Sequence, residues 1–180
     1  MKQTPSFSAI IHPASPRWSA RLQVAPSVLP RFWRSWLLDN GSLTARLSAL
    51  APGQFSVECV NEGVGQPTPT EQRELQLSLS DRIWYREVIL KLRDTPVVYA
   101  RTAVPEKALK NRLARLRHLG NRSLGSFLFS QPDLRRAPIY VSHCKDNPAA
   151  LKWARRSVFT VGSSSLMVSE AFSPDLTAFT

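Results

Sequence analysis

The sequence predicts an α+β fold, with helical segments first and then strands of an antiparallel β-sheet with an inserted helical stretch. Three observations carry that reading. Apolar residues between Leu29 and Leu50 recur at three- and four-residue steps. From Phe55 onward they alternate at every second position, in short runs bounded by Gly, Pro, Asn and Asp. The chain of 180 residues is 43% hydrophobic and 21% charged, which suits one globular core and excludes wholesale disorder.

Residues 1–28 hold Pro5, Pro13, Pro16 and Pro26 and read as an irregular N-terminal arm, with Trp18 and Leu22 able to pin it to the body. Residues 29–180 read as a single domain. Phe32, Trp33, Trp36 and Leu37 form a helical stripe that Asn40-Gly41 stops, and Ser42 can cap a second helix from Leu43 to Leu50. Phe55, Val57 and Cys59 alternate as a strand, Gly63 to Pro69 reads as a long turn or flap, and Leu75 to Leu79 alternates again. Trp84 to Leu92 and Val97 to Val104 are strong β segments around Arg93-Asp94-Thr95-Pro96, which is hairpin chemistry. Pro105 suits the first turn of a helix from Glu106 to His118 with a stripe of Leu109, Leu113 and Leu116, closed by Gly120. A short helix, Ser123 to Ser130, precedes three more strands at Ile139 to Cys144, Arg156 to Val161 and Leu166 to Phe172.

Lys and Arg total 24 against 13 Asp and Glu, a formal charge of +11 that favours acidic partners. Cys59 and Cys144 stand far apart without a CxxC, so neither a disulfide framework nor a thiolate zinc site is expected, and a reducing, cytoplasmic setting fits. No apolar run approaches the roughly 20 residues that span a bilayer. His12, His118 and His143 lack metal-ligand spacing, Gly162-Ser163-Ser164-Ser165 is not a nucleophile elbow, and no phosphate-binding glycine motif occurs. Metal, nucleotide and serine-hydrolase chemistry therefore have no support. The cations of the Glu106 to His118 segment read as a solvated face, and with no helix-turn-helix pattern a nucleic-acid partner is not expected.

The informative feature is charge on faces that otherwise look buried. Alternation places Arg86 beside Trp84, Val88 and Leu90, Arg101 beside Val97, Tyr99 and Ala103, and Glu170 beside Leu166, Val168 and Phe172. A hairpin turning at Arg93-Asp94 sets Arg86 directly opposite Arg101, whereas a one-residue slip in register separates them. Buried charge needs partners. Three readings satisfy it: an internal ion pair of Arg86 or Arg101 with Glu170, an apolar face that is partly open, or a pocket for an anionic ligand, which the planar guanidinium suits.

Six segments then resemble the chorismate pyruvate-lyase family, in order and across about residues 29–174. They are Ser42-Leu43-Thr44-Ala45-Arg46-Leu47, Trp84-Tyr85-Arg86-Glu87-Val88, Ala100-Arg101-Thr102-Ala103-Val104, Ser123-Leu124-Gly125-Ser126-Phe127-Leu128-Phe129, Trp153-Ala154-Arg155-Arg156-Ser157 and Glu170-Ala171-Phe172. Ala100 and Ala154 stand where Gly is common in that family. The resemblance implies a six-stranded antiparallel sheet with the ligand buried under helical flaps. It also implies conversion of chorismate to 4-hydroxybenzoate and pyruvate, without a cofactor, as the first committed step of ubiquinone synthesis. The family's carboxylate-binding arginine falls on Arg86, its second pocket arginine on Arg101, its backbone-amide contacts on Leu43 and Leu124, and its hydroxyl-binding carboxylate on Glu170. Arg101 is then expected to face the departing enolpyruvyl carboxylate, and Glu170 to orient the ring hydroxyl or act as acid or base. The expectation is a monomer. The rival reading is a non-catalytic small-ligand-binding domain related to the effector-binding domains of GntR-type transcription regulators.

Overall fold

The computed structural model describes residues 19–20, 29–144 and 151–179. Its strands join one antiparallel sheet, in the order β1-β6-β7-β8-β4-β3-β2, with β5 on β7. Six strands carry the sheet: β2 (Phe55–Gly65), β3 (Ile83–Leu92), β4 (Thr95–Pro105), β6 (Tyr140–His143), β7 (Trp153–Val161) and β8 (Ser164–Phe172). Two short ones, β1 (Ser19–Ala20) and β5 (Arg135–Arg136), extend it, and β1 ties the N-terminal arm to the backbone of β6. The expected anchors Trp18 and Leu22 lie outside the described residues.

Helices α1 (Arg31–Leu37), α2 (Leu43–Leu50) and α4 (Leu124–Phe129) cover one face, and α3 (Pro69–Glu74) sits between β2 and β3 in the chain. Two apolar clusters fill the covered face. One joins Trp33, Trp36, Leu37, Leu43 and Leu47 to Val57, Val88, Leu90 and Phe172. The other joins Leu113, Leu116, Leu119 and Leu128 to Trp84, Val104, Phe159 and Val168. Burying such side chains is worth about 1.5–3 kcal/mol each, so these two clusters hold the helices on the sheet.

Three expectations need correction. The segment from Gly63 is not a turn, because β2 continues to Gly65 in register with Ile83. Leu75 to Leu79 is not a strand. Thr68 caps α3 in a capping box with Glu71, and Pro69 occupies the first turn, so the chain is committed to helix just before it. The stretch from Glu106 to His118 is not an α-helix but two 3₁₀ segments, Glu106–Ala108 and Asn111–His118. Leu113, Leu116 and Leu119 are buried at intervals of three, the period of a 3₁₀ turn. The crowded cations Lys107, Lys110, Arg112, Arg115 and Arg117 would also repel across α-helical turns.

The fourth correction concerns register. The hairpin does turn at Arg93-Asp94, both at positive φ (48° and 64°), with Leu92 paired to Thr95. A bulge follows immediately: Lys91 pairs with Pro96 but Leu90 pairs with Val98, leaving Val97 as the extra residue. Pro96 has no N–H to give the ladder, which is why the irregularity falls there. Beyond it every partner is offset by one. Arg86 stands opposite Thr102, and Arg101 stands opposite Glu87.

Candidate active site

A cavity lies between the two apolar clusters, with about 580 Å³ of empty space when the open solvent at its mouth is included. Its floor is Val88, Leu90, Ala100 and Val168 from β3, β4 and β8, and its roof is the first residues of α2 and α4.

Both roof helices begin the same way. Ser42 caps α2 by accepting from the N–H of Ala45, and Ser123 caps α4 by accepting from that of Ser126. The serines leave the N–H groups of Leu43 and Leu124, each the first residue of its helix, without an intrahelical acceptor. Both residues line the cavity. The two flaps also touch directly: the hydroxyls of Thr44 and Ser123 share a hydrogen bond. Gly125 permits that approach, since a Cβ there would stand 2.5 Å from Thr44 Oγ1 and 3.2 Å from Thr44 Cβ.

Arg86 enters from β3 and is only 2% exposed. Its Nη2 donates to the carbonyls of Gly120 (2.5 Å) and Arg122 (3.1 Å), in the turn that leads into α4. Gly120 has φ 54°, a conformation that favours glycine, and so aims its carbonyl at the guanidinium. Arg86 Nε is buried without a hydrogen-bond partner, and Glu62 Oε2 is 3.7 Å from it, beyond hydrogen-bond reach. Arg86 thus forms a long ion pair with Glu62, and its side chain also lines the cavity, where a guanidinium suits an anionic group.

Glu170 lines the same cavity from β8, opposite Ala100 on β4. Its Oε2 accepts from Arg155 Nε at 2.5 Å, and Arg155 Nη1 donates to the carbonyls of Trp36 (2.7 Å) and Asp39 (3.0 Å). From Arg86 to Glu170 is two strand spacings across the sheet and two residues along it, so their Cα atoms are roughly 12 Å apart. A cation and a carboxylate thus face each other across an apolar floor. That arrangement is complementary to a flat ring with an anionic group at one end and a hydroxyl at the other.

Arg101 is not in this cavity. The offset at Val97 turns it to the opposite face, where it donates from Nε to Glu71 Oε1 (2.6 Å) and from Nη1 to Glu87 Oε1 (2.8 Å). Asn61 Nδ2 donates to the other oxygen of Glu87 (3.1 Å), and the Tyr85 ring lies 4.7 Å from the guanidinium. Burial disfavours the charge of Arg101, but Glu71 and then Glu87 outweigh it and hold its pKa above the ordinary guanidinium value. The expectation that Arg101 shares a face with Arg86 is therefore corrected: Arg101 clamps α3 to the back of the sheet.

The comparisons with known proteins bear on what this pocket is. A protein-family model described as Chorismate lyase matches residues 17–178. The chain belongs to the chorismate lyase family. A probable chorismate pyruvate-lyase of Chromohalobacter salexigens is 37% identical over 167 residues, covering 89% of this chain and 90% of the relative. Another, of Pseudomonas aeruginosa, is 40% identical over 161 residues, covering 85% and 86%. The chorismate pyruvate-lyase of Pectobacterium atrosepticum is 35% identical over 150 residues, covering 83% and 81%. Among solved structures, the effector domain of PhnF from Mycobacterium smegmatis superposes with a TM-score of 0.55 at 15% identity, covering 77% of this chain and 91% of that one. That likeness is one of fold alone. Among the described residues, no helix is long and apolar enough to cross a membrane.

Within the chorismate lyase fold of this chain, Arg155 and Arg136 are the cavity residues that the sequence pattern passed over. The signal for Arg155 was present. Two consecutive arginines, Arg155-Arg156, in a strand must send one side chain to each face, and both are buried. The expected strand starts at Arg156 and so omits Arg155, whereas β7 begins at Trp153. Arg136, on the two-residue strand β5, left no periodicity to read.

Proposed function

We propose that this chain is a chorismate pyruvate-lyase, removing pyruvate from chorismate to leave 4-hydroxybenzoate, the first committed step of ubiquinone synthesis. The observation that carries the reading is the guanidinium of Arg86, anchored by two backbone carbonyls, and the carboxylate of Glu170 on the lining of one largely apolar cavity. The ring carboxylate sits on Arg86 and the N–H groups of Leu43 and Leu124, and the ring hydroxyl on Glu170. A monomer in a cytoplasmic setting completes the reading, and the two thiols, neither in a disulfide, suit that setting.

Chorismate carries its enolpyruvyl ether on the ring carbon next to the one bearing the hydroxyl. In the reaction the C–O bond to the ring breaks, the hydroxyl-bearing carbon loses its hydrogen, and the enolpyruvyl methylene gains one to become the methyl of pyruvate. Aromatisation supplies the driving force, so the protein's share is positioning and electrostatics. A six-membered transition state passes the hydrogen directly to the methylene, with Glu170 orienting the hydroxyl through the grip of Arg155. In the alternative, Glu170 takes the hydrogen as a base and solvent completes the methyl. The direct transfer is favoured, because the carboxylate already accepts a charge-assisted bond from Arg155 and is the only acid side chain lining the cavity among the described residues.

Titration of 4-hydroxybenzoate into the wild type, Arg86→Ala and Arg86→Lys tests the site. Removing a buried charge-assisted contact costs about 2–5 kcal/mol, and an ammonium without the planar fork recovers part of that. Equal affinities across the three would make Arg86 a structural residue. Binding of chorismate with no pyruvate released would favour the ligand-binding domain instead.

A further inference from the structure

With Arg101 on the other face, the enolpyruvyl carboxylate of chorismate has no assigned partner. The charged residues lining the cavity are Arg86, Arg136, Arg155 and Glu170. With Glu62 also 3.7 Å from Arg86 Nε, three arginines stand against two glutamates, so the cavity is net cationic and suits a carboxylate-bearing substrate.

The two arginines other than Arg86 lie together. Arg155 Nη1 donates to the carbonyl of Asp39 at 3.0 Å, and Arg136 Nη1 donates to the same oxygen at 3.2 Å. One carbonyl thus gathers both guanidinium groups beside Gly41, at the rim under α2. Arg136 is further fixed by Nε donating to Ser157 Oγ (3.0 Å) and by the Phe159 ring 4.9 Å beneath it. The nearby Asp39 carboxylate does not cancel them: its oxygens accept from the Gly41 N–H (2.7 Å) and from Arg46 Nη1 (3.3 Å). Of the five N–H groups of Arg155, Nε goes to Glu170 and Nη1 to Trp36 and Asp39, so Nη2 keeps its donors.

We propose that Arg136 and Arg155 form the subsite for the enolpyruvyl carboxylate, the group that leaves as pyruvate. The inference rests on the chorismate reading above and assigns a part of the substrate which that reading leaves open. Its geometry follows from the substitution pattern of the ring. The ether sits next to the hydroxyl, and the subsite sits next to Glu170, because Arg155 touches both. The ring carboxylate, at the far end on Arg86, is shared by substrate and product. The second subsite is used by the substrate alone, and its charge is what the departing carboxylate leaves behind.

The test exploits that asymmetry. Arg136 is the residue to change, since it makes no bond to Glu170. In Arg136→Gln, kcat/KM for chorismate falls by about tenfold or more while the Kd for 4-hydroxybenzoate stays within about twofold of the wild type. Arg136→Lys, which keeps the charge but not the fork, falls less. Retained 4-hydroxybenzoate binding shows that the fold is intact; if the Gln variant fails to fold, the same comparison is read from the Lys variant. Unchanged kcat/KM overturns the subsite. So does a parallel loss of substrate turnover and product affinity, which is the mark of a structural role. An inert wild-type chain overturns the chorismate reading, and this subsite with it.

Discussion

Arg155 holds Glu170 across adjacent strands, Nε to Oε2 at 2.5 Å, and is itself held by the carbonyls of Trp36 and Asp39. The acid of the cavity is therefore fixed in direction from behind, through a side chain that is anchored to α1 and the turn after it. One oxygen is committed to Arg155, and in the proposed function the other meets the substrate's hydroxyl. Positioning of this kind costs no reorganisation at the moment of reaction.

An orienting Glu170 makes a definite prediction. Glu170→Gln keeps an oxygen for Arg155 and an amide for the hydroxyl, so it retains substantial turnover. With chorismate deuterated at the hydroxyl-bearing carbon, the label appears in the methyl of newly formed pyruvate, trapped at once by reduction. Unlabelled pyruvate together with an inactive Gln variant would make Glu170 the base.

Arg101 and Arg86 should separate cleanly. Arg101→Ala leaves Glu71 and Glu87 buried without their cation, and breaking such a pair costs about 3–5 kcal/mol. Chemical denaturation reads that loss as a lower midpoint, whereas the affinity of the folded protein for 4-hydroxybenzoate stays within about twofold. A variant of unchanged stability and lost affinity would return Arg101 to the cavity.

Closure of the roof depends on Gly125. In Gly125→Ala the new methyl meets Thr44 Oγ1 at 2.5 Å, and the stiff Thr44 side chain has no remote end to swing away. The flaps part, at a cost of about 1–3 kcal/mol, and stopped-flow displacement shows faster release of 4-hydroxybenzoate. Adding Thr44→Ala, which removes the offending oxygen, restores part of the slow release. No change in release rate from Gly125→Ala would mean that the flaps do not gate the cavity.

The two thiols should differ in reactivity. Burial pushes the Cys144 thiol up to about 11 from its ordinary 9.0, whereas Cys59 is only half-buried. Alkylation near pH 8 labels Cys59 and spares Cys144, as peptide mapping would show. The sign for stability follows: a neutral buried thiol stabilises fully below about pH 9, and that contribution is lost as pH rises towards about 11. Equal labelling of both in the native protein would contradict the burial.

Much of this was legible in the residues. Ser42 and Ser123 mark the starts of the two roof helices, and the Arg93-Asp94 turn falls where its chemistry puts it. Alternation brings Arg86 and Glu170 to buried strand faces, which is where the cavity lies. Arg101 was misplaced because one bulged residue, Val97, reverses every face beyond it, and a period-two pattern carries no trace of an insertion. Pro96 was the available warning. The capping box of Thr68 and Glu71 was equally readable, and it outranks the alternation of Leu75 to Leu79. Arg136 was out of reach, since only the assembled sheet brings a two-residue strand beside the roof.

The most direct measurement of the central claim is the product balance of the wild-type chain. Mixed with chorismate in the presence of EDTA and without nucleotide, it should release pyruvate and 4-hydroxybenzoate in equal amounts, one of each per chorismate consumed. Chorismate bound but not consumed, or activity lost on chelation and restored by a metal ion, would contradict it.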